Sequence, residues 1–271
     1  MPVIWGSFFT TIFLVLLLCL YIIYVVRAVD MVSFGCPYGD VGPSDGAFLI
    51  VEPRPHHLLG TVITEFSKRV PPSWVLYVVH GERNAEYARA AAARVSGQRR
   101  VVFIPLDIDD LKPSQYNTLF KTPEFWHQVQ AEHILVFQTD AMPCGPPLDM
   151  ERYGEFGYIG CAYGNKVGAN SYWQPNTFYG VGGLSLRRKS FMLECLKKPG
   201  THDAEDVTFS NCVDDYESRP TAQDVGDFCA ETGWGDPLEN PQSWGAHKIG
   251  LMDSKKRQQF LKYCPAAGQI T

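Results

Sequence analysis

The sequence has no Cys-x-x-Cys pair among its eight cysteines, no Asn-x-Ser/Thr acceptor, no internal repeat and no long low-complexity tract. The first absence argues against a zinc ribbon or finger, which spaces its thiolates closely. The second removes one marker of a secretory lumen. There is no basic excess either: the net charge is −5, the wrong sign for a nucleic-acid binder. Residues 3–26 contain no charged side chain at all.

What is present begins with that uncharged stretch. It is almost wholly apolar and exceeds the roughly 20 residues a helix needs to cross a bilayer. Tyr21 and Tyr24 lie near one end, where aromatic rings suit the interface. A cleaved signal peptide fits less well, because no Lys or Arg precedes the run, the run is long, and no clean small-x-small site follows. The expectation is an uncleaved anchor in residues 1–27. Arg27 and Asp30 adjoin it and give no charge bias that sets orientation. Residues 28–46, with Gly and Pro, read as a stem, and 47–271 as one domain. Seven cysteines lie outside the apolar run; one or more disulfides would suit an oxidising compartment, with pairing not readable from spacing.

From residue 47 the pattern alternates. Residues 47–51, 74–79, 100–104 and 133–137 are short apolar runs rich in β-branched or aromatic side chains, and read as strands. Residues 56–70 and 86–95 carry helical periodicity, the second with Asn84 as a candidate cap. Residues 114–130 read as one or two helices interrupted at Pro123. This βαβ order predicts an α/β domain: a mostly parallel, Rossmann-like sheet with helices on both faces. The run 133–137 leads straight into Gln138, Thr139 and Asp140, then into proline-rich sequence that cannot continue a regular strand. Ligands of open α/β sheets lie beyond the carboxyl ends of strands, so Asp140 is expected to face a cleft. Gly- and aromatic-rich segments follow, then a helix over 189–198 and another opening at 202–209 with acids in its first turn.

Six short patterns then occur in order: Gln138–Thr139–Asp140, Tyr158–Ile159–Gly160, Gly182–Gly183–Leu184–Ser185–Leu186–Arg187, Glu205–Asp206, Phe228–Cys229–Ala230–Glu231 and Gly245–Ala246–His247–Lys248. Together they resemble the GT-A-type glycosyltransferases, most closely an uncharacterised glycosyltransferase-like family, over residues 48–250. One position departs: the usual metal motif of that superfamily is Asp-x-Asp, and Gln138 holds the first place here.

The resemblance implies transfer of a sugar from a nucleotide-sugar donor to a carbohydrate or glycoconjugate acceptor, in an inverting reaction assisted by Mn²⁺ or Mg²⁺. A divalent cation neutralises charge developing on a diphosphate leaving group. Hard cations take oxygen ligands, which suits Asp140, and His247 would add an imidazole nitrogen. The acceptor hydroxyl needs a base. Glu205 and Asp206 would stand about 100° apart on a helix, and similar enzymes place the base at the position of Asp206. Gln138 and Thr139 flank the metal contact. Glu52 and Arg54, after the first strand, are placed for the nucleotide base and ribose. Gly182 and Gly183 would let backbone approach the sugar. Arg187 is a candidate phosphate partner or a surface charge; Trp173 and Trp244 either stack on sugar or pack internally. Glu231 either meets an acceptor hydroxyl or satisfies a loop, and His56, His57 and His80 are expected to be structural. The enzyme class implies a single-pass type II membrane protein of the Golgi or endoplasmic reticulum. A catalytically silent nucleotide-sugar or carbohydrate-binding module on the same fold is the rival reading; a metal-dependent phosphohydrolase would want a richer Asp/His cluster than the strand ends offer.

Overall fold

The computed structural model describes residues 13–18, 31–161, 180–200, 202–213, 219–232 and 242–271. The strands are β1 (Tyr38–Gly39), β2 (Ser44–Val51), β3 (Val75–Gly81), β4 (Val101–Leu106), β5 (Ala131–Phe137), β6 (Ala141–Pro143), β7 (Tyr158–Cys161), β8 (Val181–Arg188), β9 (Cys229–Ala230) and β10 (Gly245–His247). The helices are α1 (Leu59–Ser67), α2 (Ala85–Ser96), α3 (Pro113–Phe120), α4 (Pro123–Gln128), α5 (Met150–Tyr153), α6 (Lys189–Leu196), α7 (Glu205–Val213), α8 (Ala222–Phe228) and α9 (Ser254–Tyr263).

Seven strands form the main sheet in the order β1-β4-β3-β2-β5-β8-β7. The core strands β4, β3, β2 and β5 run parallel, and their near-continuous apolar sequences are buried on both faces. The sheet is mixed rather than mostly parallel: β1 is antiparallel to β4, β8 to β5, and β7 to β8. The Gly-Gly-Leu-Ser-Leu-Arg segment, which the periodicity alone does not distinguish from loop, is the strand β8. Because it runs against β5, its first residues reach the same edge of the sheet as the end of β5.

Two apolar layers cover the sheet. On one face α1 and α2 pack through Leu59, Ile63, Phe66, Ala88 and Ala92 onto Phe48, Ile50 and Leu76. On the other, Phe120 and Trp126 (from α3 and α4), Met192 (α6) and Phe209 (α7) meet Leu49, Tyr77 and Val136. Pro113 and Pro123 each open a helix, where the missing N–H is no loss. Asn84 precedes α2 but makes no side-chain cap; its Nδ2 donates instead to the carbonyls of Glu52 and Arg54, tying that turn down.

Part of the segment expected to be a stem is folded. Val32 is buried, Phe34 bridges to Leu106, and β1 pairs with β4. Most of residues 3–26 lies outside the described residues, and among the described residues no helix is long and apolar enough to cross a membrane.

A second, three-stranded sheet has the order β6-β10-β9. The proline-rich turn after Asp140 therefore does contain a short strand, β6, whose register sets His247 opposite Ala141. Parallel pairing of β10 with β9 sets Ala246 opposite Ala230. Three disulfides join Cys144 to Cys264, Cys161 to Cys229 and Cys195 to Cys212, while Cys36 is free and exposed.

Candidate functional site

The ends of β2, β5 and β10 and the starts of β8, α3 and α7 meet around one cleft of about 340 Å³. That is within the ordinary range for a small-ligand site. Glu52, Arg54, Gln138, Thr139 and Asp140 line it, as do Gly182, Gly183, Glu205, Asp206 and His247.

The small sheet assembles one side. Asp140 follows β5 by three residues, and the β6–β10 pairing brings His247 beside it, with His247 Nε2 3.3 Å from Asp140 Oδ1. Lys248 N–H donates to the Asp140 carbonyl and extends the pairing. Glu231, directly after β9, sits behind the ring: His247 Nδ1 donates to Glu231 Oε2 at 3.0 Å. The β5–β8 register pairs Phe137 with Leu184, which leaves Gly183 over Gln138 and His247. A Cβ on Gly183 would stand 2.1 Å from His247 Nε2 and 2.7 Å from Gln138 Oε1, so any other residue would displace those side chains.

His247 is completely buried. Burial pulls its pKa down, yet the Asp140 and Glu231 carboxylates outweigh burial and the net direction is upward. For Asp140 burial pushes upward, and the His247 ring with Lys248 brings the net below the usual carboxylate value.

These residues fit a divalent cation. Asp140 Oδ1 is buried and makes no aligned hydrogen bond, although His247 Nε2 lies 3.3 Å away. Neighbouring ligands of an octahedral ion with bonds of about 2.1 Å stand about 3.0 Å apart, close to that separation. Gln138 Oε1, 3.2 Å from the same nitrogen, offers a neutral oxygen in place of a first carboxylate. With Nδ1–H fixed on Glu231, the ring presents Nε2, the carboxylate–histidine arrangement that orients metal ligands. Cys161 also lies close to Glu231 and His247, but its sulfur is bonded to Cys229. The donor set is therefore carboxylate, imidazole and amide, which suits Mn²⁺ or Mg²⁺ better than a thiolate-seeking ion.

The other side comes from α7. Glu205 and Asp206 diverge from adjacent helical positions. Glu205 turns inward and is held by Arg187 through two bonds, Nη1 to Oε2 at 2.7 Å and Nη2 to Oε1 at 3.0 Å. Asp206 is half-buried in the cleft; its Oδ2 accepts from Gly182 N–H at 3.3 Å and its Oδ1 from Val207 N–H at 2.8 Å. Gly182 and Gly183 thus separate the Glu205–Asp206 side from the Asp140–His247 side. Glu52 is held at the cleft wall by Arg54 Nε at 2.9 Å, and Arg54 is exposed.

Two expected ligand residues lie elsewhere. Arg187 does not line the cleft: it is fully buried behind the wall and committed to Glu205. Trp244 is also absent from the wall. It is buried in the core, stacked on Phe228 at 5.7 Å, with its Nε1 donating to the Pro146 carbonyl. Trp173 lies outside the described residues. His80 is buried between the Tyr38 hydroxyl and the Gly81 carbonyl; His56 and His57 stack on each other near the surface.

Sequence reasoning missed Tyr116 and Asn117 of α3, which line the cleft, Asn117 Oδ1 accepting from Glu205 N–H. Single polar residues in an amphipathic helix carry no signal of that role. It also gave no role to Lys248, which lines the cleft with a left-handed backbone (φ 46°). Its place within Gly-x-His-Lys was the available clue.

A family model described as "Protein of unknown function (DUF5672)" matches residues 101–247. Among curated proteins none matches the chain. Among solved structures, a galactosyltransferase, LgtC, in complex with donor and acceptor sugar analogues superposes with a TM-score of 0.50 and 11% identity, covering 83% of this chain and 96% of the other. At that identity the likeness is one of fold: a mixed α/β architecture of the GT-A kind.

Proposed function

We propose that this chain, which belongs to the DUF5672 family, is a metal-assisted glycosyltransferase moving a sugar from a nucleotide-sugar donor to a glycan or glycoconjugate acceptor. One observation carries the reading: Asp140 with His247, and Asp206, face one cleft from opposite sides of Gly182–Gly183. A likeness of fold to a galactosyltransferase supports the same class.

In this reading Asp140, His247 and Gln138 hold the cation, and Glu231 fixes the histidine tautomer. When bound, the cation supplies neutralisation of charge on the departing diphosphate. Glu52 and Arg54 meet the nucleoside. Asp206 accepts the proton of the acceptor hydroxyl as that oxygen bonds to the anomeric carbon and the bond from that carbon to the diphosphate oxygen breaks. Direct displacement puts nucleophile and leaving group on opposite sides of the carbon. A base away from the metal ligands is therefore what an inverting transfer needs, and Asp206 answers that description. Its two backbone donors, Gly182 N–H and Val207 N–H, keep it aimed.

We place the domain in the secretory lumen behind a type II anchor at residues 3–26, in the Golgi or endoplasmic reticulum. The uncharged apolar run supports the anchor, and three disulfides support an oxidising compartment. The test of function is a screen of nucleotide sugars for donor turnover with Mn²⁺ and with chelator. At least one donor should turn over with Mn²⁺ and stop with chelator. Binding of a nucleotide sugar with no turnover under any condition would favour the silent-module reading, for which Gln138 in place of a carboxylate speaks.

A further inference from the structure

Arg187 is the most deeply buried cation among the described residues, with no solvent exposure. It lies among four aromatic rings, Phe120, Tyr158, Trp126 and Phe209, at 4.9, 5.2, 5.7 and 5.8 Å. A buried ion pair is a poor way to gain stability, because desolvation offsets much of the attraction and apolar replacements are often neutral or better. The reason for this one is found in what it touches besides Glu205. Arg187 Nη2 donates to the Gly182 carbonyl at 3.2 Å, and its Nε donates to Ser185 Oγ at 2.8 Å. Ser185 Oγ in turn donates to the same Gly182 carbonyl at 3.0 Å. The N–H of Gly182 is the group that donates to Asp206 Oδ2.

We propose that Arg187 is the positioning residue of the site: it pins the backbone at Gly182 from behind, and Gly182 N–H holds the Asp206 carboxylate at the angle the acceptor hydroxyl requires. This rests on Asp206 being the base. Glu205 completes the device from the other side. Its Oε1 lies only 2.2 Å from where a Cβ on Gly182 would be, so the glycine is clamped between the ion pair and Asp206. Burying the guanidinium in an aromatic cage removes water as a competitor for Glu205 and the Gly182 carbonyl. The cage rings come from α3, α4, α7 and β7, and none of them lines the cleft. Losing the device should therefore change the reacting geometry and leave donor affinity alone.

The test compares Arg187→Met/Glu205→Met, Ser185→Ala and Asp206→Asn with wild type, measuring melting temperature, nucleotide-sugar Kd and kcat. The double variant removes both charges together, so it should melt within about 5 °C of wild type. Misplacement of the base should lower its kcat about 10²-fold, with donor Kd within about twofold. Ser185→Ala removes one donor from the Gly182 carbonyl and should lower kcat several-fold without moving Kd. Wild-type kcat in a folded double variant overturns the inference. If the double variant does not fold, wild-type kcat in Ser185→Ala overturns it. A kcat loss in Asp206→Asn with none in the other variants removes the positioning role and leaves the base reading standing; wild-type kcat in Asp206→Asn removes the base reading itself.

Discussion

At the scale of single residues, His247 decides the chemistry of the site, because its two nitrogens face different partners. Nδ1 is committed to Glu231, while Nε2 lies between Asp140 and Gln138. Without metal the ring gains stability from being protonated between two carboxylates. Its folded pKa is raised above 6.5. The contribution is therefore fully present below pH 6.5 and disappears as pH rises through the folded value. In chelator, wild type should exceed His247→Gln in melting temperature most at pH below 6.5, with the gap closing as pH rises. A gap that is flat or grows with pH would contradict the arrangement. A cation on Nε2 must displace that proton, so metal binding should release protons and tighten with pH.

Gly183 is the second residue-scale constraint. Alanine there would press on His247 Nε2 and Gln138 Oε1. Gly183→Ala should weaken Mn²⁺ binding about 10- to 100-fold, the cost usual for disturbing the support of a metal ligand. A direct Mn²⁺ titration reads this, and unchanged affinity would mean that the ring does not ligate.

At the scale of elements, the parallel strands of the main sheet were legible, and its antiparallel strands and the small sheet were not. The apolar runs of β2 to β5 announce strands buried on both faces. β8 alternates glycine with apolar and polar residues, because one of its faces carries the Arg187 network, and it gives no such run. The positions of Asp140 and of Glu205–Asp206 followed from strand end and helix start. The pairing of His247 with Asp140 depends on a three-residue strand, β6, inside the proline-rich segment, a register no local pattern encodes. Arg187, expected on a phosphate or at the surface, and the sugar-stacking alternative for Trp244 fail for one reason: residue type says what a side chain can bind, and burial decides whether a ligand can reach it.

Cys144–Cys264 links the turn after β6 to the chain beyond α9, closing 120 residues. In the chain-entropy account a loop of that length stabilises by about 5 kcal/mol, against about 3 kcal/mol for the shorter Cys195–Cys212 loop. Cys144→Ala/Cys264→Ala should lower the melting temperature more than Cys195→Ala/Cys212→Ala. Because the first bridge also braces the small sheet, its loss should reduce metal affinity as well. Equal melting shifts with unchanged metal affinity would separate the bridge from the site.

At the scale of the whole molecule, the cleft lies where two sheets meet α7. The main sheet contributes Glu52, Gln138, Asp140 and the two glycines; the small sheet contributes His247 with Glu231 behind it; α7 contributes Asp206. The central claim is that these halves do different work, one holding the cation and the other taking the proton. The direct test is turnover alongside nucleotide-sugar binding for Asp206→Asn and Glu205→Gln. Removing the base should lower turnover by about 10²–10⁴-fold, while donor affinity stays near that of wild type. Near-normal turnover of Asp206→Asn would contradict the account: with loss in Glu205→Gln it would hand the role to Glu205, and with loss in neither it would point to a retaining transfer or to a different base.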